Sequence, residues 1–467
     1  MQRTENRVWG RERFWKASVQ ADLIGKRFSG TDLKRLIIPL VLEQTLLMTV
    51  GVADTVMVSF AGEAAVSGVA LVDMVNYLIT VVLAAVDTGG AVIVSQYLGN
   101  KDYDNANWTA SQLLTVTVLV SVSVTLFCLL FHAPLLRLLF GAIEADVRQA
   151  AVTYFLITAL SFPFLGIYNS SAAVFRSMQK TNVTMYVSVL VNFINIVGNV
   201  IGIFVFHAGV AGVAIPTFLS RVSGAGILSA LAFREKNPVH ISWHGIFAWD
   251  TKLVKKILRI AIPNGIENGL FALGKVLVTS IVALFGTTQI AANGVANSID
   301  QMAILVVNAN NLAMVTVVGQ CMGAGEQEQA EYYTKKLMKL SWIATGVLGT
   351  AVCFFLPVFK GFYQVSDSTW KLSCILVIMH NLLAIALHPT SFNLANSLRA
   401  CGDVKVTMYS GILSMLVFRL GTAVILGIVC NMGILGVWIA MGMDWLARSV
   451  IFVLRYRSGK WRDIKVI

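Results

Sequence analysis

Residues 35–60 read RLIIPLVLEQTLLMTVGVADTVMVSF, with no base after Arg35 and only Glu43 and Asp54 as acids. A helix that crosses a bilayer needs about 20 consecutive, mostly apolar residues, and this stretch meets that length. Eleven further segments of the same kind follow, near 68–97, 109–131, 149–174, 183–206, 211–232, 254–285, 292–320, 337–358, 370–397, 406–429 and 433–454. Lipid offers the backbone no hydrogen-bond partner, so every span is expected to be helical. Composition agrees: of 467 residues 57% are apolar and 13% charged, and the mean hydropathy is +0.74, against roughly 45–50% apolar and about 25% charged in soluble domains. A soluble enzyme, a disordered chain and a secreted disulfide scaffold are thereby excluded, and little chain is left for a large soluble domain.

Lys and Arg number 36 against 24 Asp and Glu, a net charge of +12. In a membrane protein such an excess collects in cytoplasmic loops. With the N-terminus inside, the inside loops hold 28 basic residues and the outside loops four, Arg137, Arg148, Lys360 and Lys371. Both termini are therefore expected in the cytoplasm, and no polar basic face remains for a nucleic acid. Residues 1–30 are basic and aromatic without the apolar run of a signal peptide. They read as an amphipathic surface helix or a disordered tail. The six cysteines lie in or beside apolar segments without CxxC spacing and read as packing residues.

The halves of the chain repeat. IIPLVLE (37–43) returns as AIPNGIE (261–267), a shift of 224 that matches Pro39 with Pro263 and Glu43 with Glu267. At the same shift SQYLGNKDYDNA (95–106) returns as GQCMGAGEQEQA (319–330), and Gly62 as Gly286. At a shift of 223, FRSMQKTNVTMY (175–186) returns as LRACGDVKVTMY (398–409). Six spans per half is an even number, so both halves enter from the same side and are related by an axis along the membrane normal. The expected fold is an all-α membrane protein of twelve transmembrane helices in two pseudo-twofold-related six-helix bundles. Its parts are an N-terminal segment 1–30, an N-lobe 31–232, a cytoplasmic linker 233–253, a C-lobe 254–455 and a cytoplasmic tail 456–467. Substrate sites of secondary transporters lie between such repeats. A channel filter and a Walker A phosphate loop are both missing from the sequence.

The string PLVLEQTLLMTVGVADTVMV (39–58), SQYLG after span two and NIVGN (195–199) in span five, set in this repeat, resemble the MATE family of multidrug and toxic compound extrusion transporters. The resemblance covers about residues 31–460 and is nearest to DinF-like members in the N-lobe motif. It implies a cation-coupled antiporter that exports organic cations and other amphiphiles, alternating between outward-open and inward-open V shapes.

Seven carboxylates fall within spans: Glu43, Asp54, Asp73, Asp87, Glu267, Asp300 and Asp444. An acid at a helix centre costs roughly 2.5–3.5 kcal/mol on insertion scales, which makes each a candidate for function. Asn192, Asn195 and Asn199 form one stripe on span five. Asp54, Asn199 and Thr217 all count to a similar depth, roughly 12–14 Å below the outer surface at 1.5 Å per residue. One anion among neutral oxygens suits a small hard cation or a proton; a structural cluster joining helices is the alternative. The resemblance places Asp54, Asn195, Asn199 and Thr217 on the family's N-lobe cation and proton site, with one departure: DinF-like members carry Asp where this chain has Asn199. The site is one charge poorer, which favours protons over sodium as the coupling ion, since sodium must shed its water.

Pro39 is the expected hinge of the first helix, because proline removes a backbone hydrogen bond. Glu43 and Glu267, as repeat mates, are read with Asn192 as candidates for a central cavity that attracts organic cations; the alternative is that each acid bonds to a neighbouring helix. Glu267 also resembles an acid that couples sodium in another family branch, but span ten here offers only His380 and His388 in place of that branch's second acid. Asp444 and Arg448, at i, i+4, are expected to pair, and pairing would likewise neutralise Lys275 and Arg419. Arg176 and Arg399 read as orientation anchors.

The expectation is a secondary active antiporter, not an enzyme: a monomer of the cell membrane, surrounded by lipid, with no cofactor, no catalytic residue, and amphiphilic, mostly cationic substrates. Sodium at Asp54, Asn195, Asn199 and Thr217 is the alternative to protons. A lipid-linked precursor flippase of a related fold is the rival transport reading. A membrane-embedded enzyme is a more distant one, because neither HExxH nor GxSxG is present.

Overall fold

A computed structural model describes residues 25–141, 144–363 and 365–467. Most of the segment 1–30, read above as amphipathic or disordered, lies outside the described residues. The helices follow in chain order: α1 Gly30–Ser59, α2 Glu63–Gly99, α3 Tyr103–Phe140, α4 Ala145–Leu160, α5 Phe162–Ser177, α6 Thr181–Val200, α7 Ala211–Ala232, α8 Trp243–Phe247, α9 Thr251–Ala283, α10 Thr287–Gly323, α11 Gln327–Phe359, α12 Asp367–Ala400, α13 Val404–Leu413 and α14 Ile434–Arg457. Wide π-helical turns extend α6 over Ile201–Val205 and α13 over Ser414–Gly421 and Val424–Val429.

Among the described residues 11 helices are long and apolar enough to span a bilayer, and the bent pair α4/α5, 45° apart, supplies a twelfth span. That bend lies inside the segment read as one span near 149–174. Pro163, in the first turn of α5, has no N–H to continue the ladder. Side chains set other helix starts. Ser29 and Asp32 exchange bonds of 2.8 and 3.1 Å at the head of α1, a capping box. Asp102 caps α3 and Ser366 caps α12. Gly62 and Gly286, matched in the repeat, turn the chain at φ +100° and +90°, a region that favours glycine.

Backbone proximity divides the chain into two compact units. One comprises Ile38–Val94 and Asp102–Gly269; the other comprises Leu270–Ile467, Ser95–Lys101 and the chain up to Ile37. In the first, Val72, Leu83, Phe155 and Phe162 belong to a fully enclosed core. Its linker is built into the fold: Val239 and Ile241 are buried, and Gln112 of α3 donates to the carbonyls of Gly245 and Ala248, each at 2.6 Å. In the second unit, Ala292, Leu376, Ala384 and Ala440 occupy the corresponding core.

The second unit also explains the repeated Q-x-x-G block. A side chain at Gly99 would meet the carbonyl of Gln320, and one at Gly323 would meet the carbonyl of Gln96. Each block thus receives the backbone of its mate, a reciprocal contact of the kind a twofold axis generates. Valine at position 99 must collide with backbone, and overpacking of this kind costs typically 1–3 kcal/mol. Gly99→Val is expected to lower the thermal unfolding midpoint of the purified protein. Gly226→Val, at a helix position with nothing within 4 Å, is expected to leave it unchanged.

Candidate functional site

The polar cluster of the first unit is built on α6 and α7, joined by a short turn in which Ala208 N donates to Gly202 O at 3.0 Å. The i, i+4 spacing puts Asn195 and Asn199 on one face of α6. Asn195 Nδ2 donates to Thr217 Oγ1 of α7 at 3.0 Å. Asn199 Nδ2 donates to Asn195 Oδ1 at 3.3 Å and to Asp54 Oδ1 of α1 at 2.6 Å. Thr217 Oγ1 completes the chain by donating to Val213 O at 2.9 Å. The four residues that the family resemblance singled out are therefore one hydrogen-bonded chain across three helices. Asn195, Asn199 and Thr217 are buried, whereas Asp54 is half-buried. Asn199 Oδ1 is a buried acceptor with no hydrogen-bond partner among the described residues. Asn192 shares the stripe and is buried, but its amide nitrogen has no hydrogen-bond partner among the described residues. It stands outside the chain.

Three residues absent from the sequence reading of the site complete it. Asp73 of α2 and Arg221 of α7 both act electrostatically on Asp54. Asp73 receives a bond from Tyr154 of α4 and one of 3.4 Å from Asn76. Arg221 Nη1 donates to Ser161 Oγ at 2.6 Å. Asp54 is thus not the only acid of the cluster: two carboxylates face one guanidinium. Counted from the span start read near 68, Asp73 is only five residues deep and falls outside the equal-depth group; α2 in fact begins at Glu63, ten residues before it, which brings Asp73 to the level of Asp54. Its presence among the seven intramembrane acids was the available signal.

Glu43 lies four residues after Pro39 in α1, which runs on through the proline. Glu43 is buried and accepts from Arg176 Nη2 at 2.5 Å and Thr184 Oγ1 at 3.0 Å. Its charge is compensated inside its own unit, so it is not the uncompensated anion expected of a cation-attracting cavity. Arg176, read as an anchor, is its partner. Asp87 of α2 also acts on Arg176. Glu267 is buried in a turn of α9 where Asn268 donates to Asn264 at 3.0 Å.

In the second unit Arg448 Nε donates to Asp444 Oδ1 at 3.0 Å, the expected i, i+4 pair, and Arg419 Nη1 stands 3.6 Å from Asp444 Oδ2. His380 is 3.3 Å from Asp300, and His388 stacks on Phe392; both histidines are buried. Arg399 donates to Asn396 at 3.0 Å. No group of three or more His, Cys, Asp or Glu side chains among the described residues could hold a metal ion. At Asp54 the available donors are carboxylate, amide and hydroxyl oxygens, a set suited to a proton or a monovalent cation.

The MatE family profile matches this chain twice, over residues 39–201 and 263–425. The two matches are displaced by 224 residues, the interval of the sequence repeat. The chain is 29% identical over 434 residues to "Uncharacterized transporter YisQ" of Bacillus subtilis (strain 168), covering 91% of this chain and 93% of that one. It is 26% identical over 447 residues to "Probable multidrug resistance protein NorM" of Thermotoga maritima, covering 93% and 94%. Among solved structures, an outward-facing multidrug resistance MATE transporter superposes with a TM-score of 0.86 at 21% identity, covering 93% and 96% of the two chains. This likeness establishes the shared fold.

Removing one partner of a buried ion pair costs about 3–5 kcal/mol, because the other charge is stranded. Arg176→Ala is therefore expected to lower the unfolding midpoint sharply, since it strands Glu43. The double variant Glu43→Gln/Arg176→Gln is expected to recover most of the loss. A thermal-unfolding double-mutant cycle measures both.

Proposed function

The chain belongs to the MatE family, a family of transporters, and from that premise we propose that it is a proton-coupled exporter of amphiphilic small molecules. In this reading it is a plasma-membrane protein with both termini and the loop before α8 in the cytoplasm. Its spans form an N-lobe near 31–232 and a C-lobe near 254–455. The observation that carries the proposal is the bonded chain Asp54–Asn199–Asn195–Thr217, which ties the proline-bearing helix α1 to α6 and α7.

The electrostatics favour a proton over sodium. Arg221 supplies one positive charge to Asp54 and Asp73. One carboxylate's charge is left over, and a proton neutralises it without a hydration shell to remove. A bond from an amide to a carboxylate is charge-assisted and stronger than one to a neutral acid. Protonation of Asp54 therefore weakens its hold on Asn199 and frees α1 to rearrange at Pro39. Substrate that entered from the cytoplasm or inner leaflet then leaves outward, and the protonated carrier returns. Sodium remains the alternative ion at the same oxygens. The name of the Thermotoga relative supports drugs as substrates, and organic cations are the class implied by the sequence resemblance.

In proteoliposomes with an imposed pH gradient, Asp54→Asn is expected to abolish export while leaving substrate binding intact. Asn199→Asp is expected to raise dependence on a sodium gradient. Normal export by Asp54→Asn under both gradients, or a wild type driven by sodium alone, sinks the assignment. For topology, in a cysteine-free background a cysteine at Lys236 is expected to resist an impermeant thiol reagent in intact cells. One at Asp367, an exposed side chain, is expected to react; the reverse pattern would invert the orientation.

A further inference from the structure

The second unit carries a cluster of opposite polarity to the one at Asp54. Phe271 of α9 has three cations over its ring. Lys275 Nζ lies 5.3 Å from the centroid, the Arg419 guanidinium 5.6 Å and the Arg448 guanidinium 4.8 Å. Asp444 is the acid that faces them, and it is fully buried. One of its oxygens is committed to Arg448, which also bonds Ser414 Oγ at 2.8 Å and Gly411 O at 3.2 Å. The other oxygen stands 3.6 Å from Arg419. Among the described residues one carboxylate, Asp444, is shared by Arg448 and Arg419 beside Lys275, which leaves positive charge in excess within membrane-spanning helices.

Two features separate this excess from a structural ion-pair network. No carboxylate lies within ion-pair distance of Lys275 among the described residues, and its charged neighbour is Arg419, which repels it. The side chain is nevertheless accessible rather than enclosed. Arg419 is buried, yet its Nε has no hydrogen-bond partner among the described residues. It projects from the π-helical stretch Ser414–Gly421, and such wide turns recur at functional sites. Intramembrane cations are kept where they pair or bind something, and here their own acid is already used.

We propose that Lys275 and Arg419 form a binding subsite for the oxyanion group, carboxylate or phosphate, of an aromatic or otherwise amphiphilic anion. Arg419 presents a planar fork matched to an oxyanion, and Lys275 a point charge. Arg448 is fixed by Asp444 and Ser414 and holds the positive field in place. Phe271 and Phe392, with ring centroids 6.3 Å apart, and His388 stacked on Phe392 at 4.3 Å supply the apolar wall. The subsite does not depend on ion coupling at Asp54, and it extends the substrate range beyond cations. The oxyanion comes either from a transported solute or from a phospholipid headgroup.

The test uses two dyes of one skeleton, anionic fluorescein and cationic rhodamine 6G. Binding is read by fluorescence anisotropy on the full chain in phosphatidylcholine nanodiscs, with no gradient. Lys275→Gln and Arg419→Gln are each expected to weaken fluorescein by about tenfold or more while rhodamine 6G changes by less than about twofold, and Lys275→Arg is expected to retain fluorescein. Arg419→Gln disturbs the partner of Asp444, so Lys275→Gln, which removes a charge with no acid beside it, carries the test. Replacing part of the lipid with phosphatidylglycerol separates the sources. Loss of fluorescein from the wild type but not from Lys275→Gln assigns the subsite to a lipid headgroup; no change assigns it to a solute. Equal fluorescein affinity in the wild type and Lys275→Gln, or equal loss of both dyes, overturns the proposal.

Discussion

A charge inside a bilayer must find its counter-charge or hydrogen bonds within the protein, because lipid supplies neither. This constraint organises the polar interior of the molecule. Glu43 is held by Arg176 and Thr184, Asp444 by Arg448 with Arg419 behind it, and Asp300 by His380. Each of these acids has a partner within its own unit. Among the described residues two further clusters carry charge that does not balance: two acids beside one arginine around Asp54, and three cations around Phe271 that share the acid Asp444.

The two imbalances have opposite sign and occupy related parts of the repeat. In the first half the stripe Asn195/Asn199 on α6 meets an acid from the first helix of its bundle. In the second half, α13 carries Arg419 in the corresponding region, and the first helix of that bundle, α9, brings Lys275. The matching ends of the two helices are both π-helical, over Ile201–Val205 and Val424–Val429. The repeat thus supplies one scaffold twice, with different charges in the two copies. In the proposed reading a proton suits the first and an oxyanion the second.

The span count, the helical class, the repeat and the polar cluster of α1, α6 and α7 were legible in the sequence. Apolar length and backbone satisfaction in lipid depend on local composition. The interval of 224 residues reappears in the two family matches and in the reciprocal seating of Gly99 and Gly323. Asp54, Thr217 and the stripe Asn192, Asn195 and Asn199 could be grouped because helical rise converts position along the chain into depth and helical spacing puts side chains on one face; the resemblance narrowed the group to Asp54, Asn195, Asn199 and Thr217.

Tertiary structure alone decided what lies beside each of those groups. Depth says nothing about rotation of a helix about its axis, so Asp73, Tyr154 and Arg221 could not be assigned to Asp54 by counting. Glu43 could be read as lining a cavity until Arg176 was found 2.5 Å away, and Lys275 as a paired base until its neighbour proved to be Arg419. The sequence by itself determined which residues enter the membrane and at what level. Whether a charge there is satisfied or left over depends on which helix faces it, and that is set by packing between segments far apart in the chain.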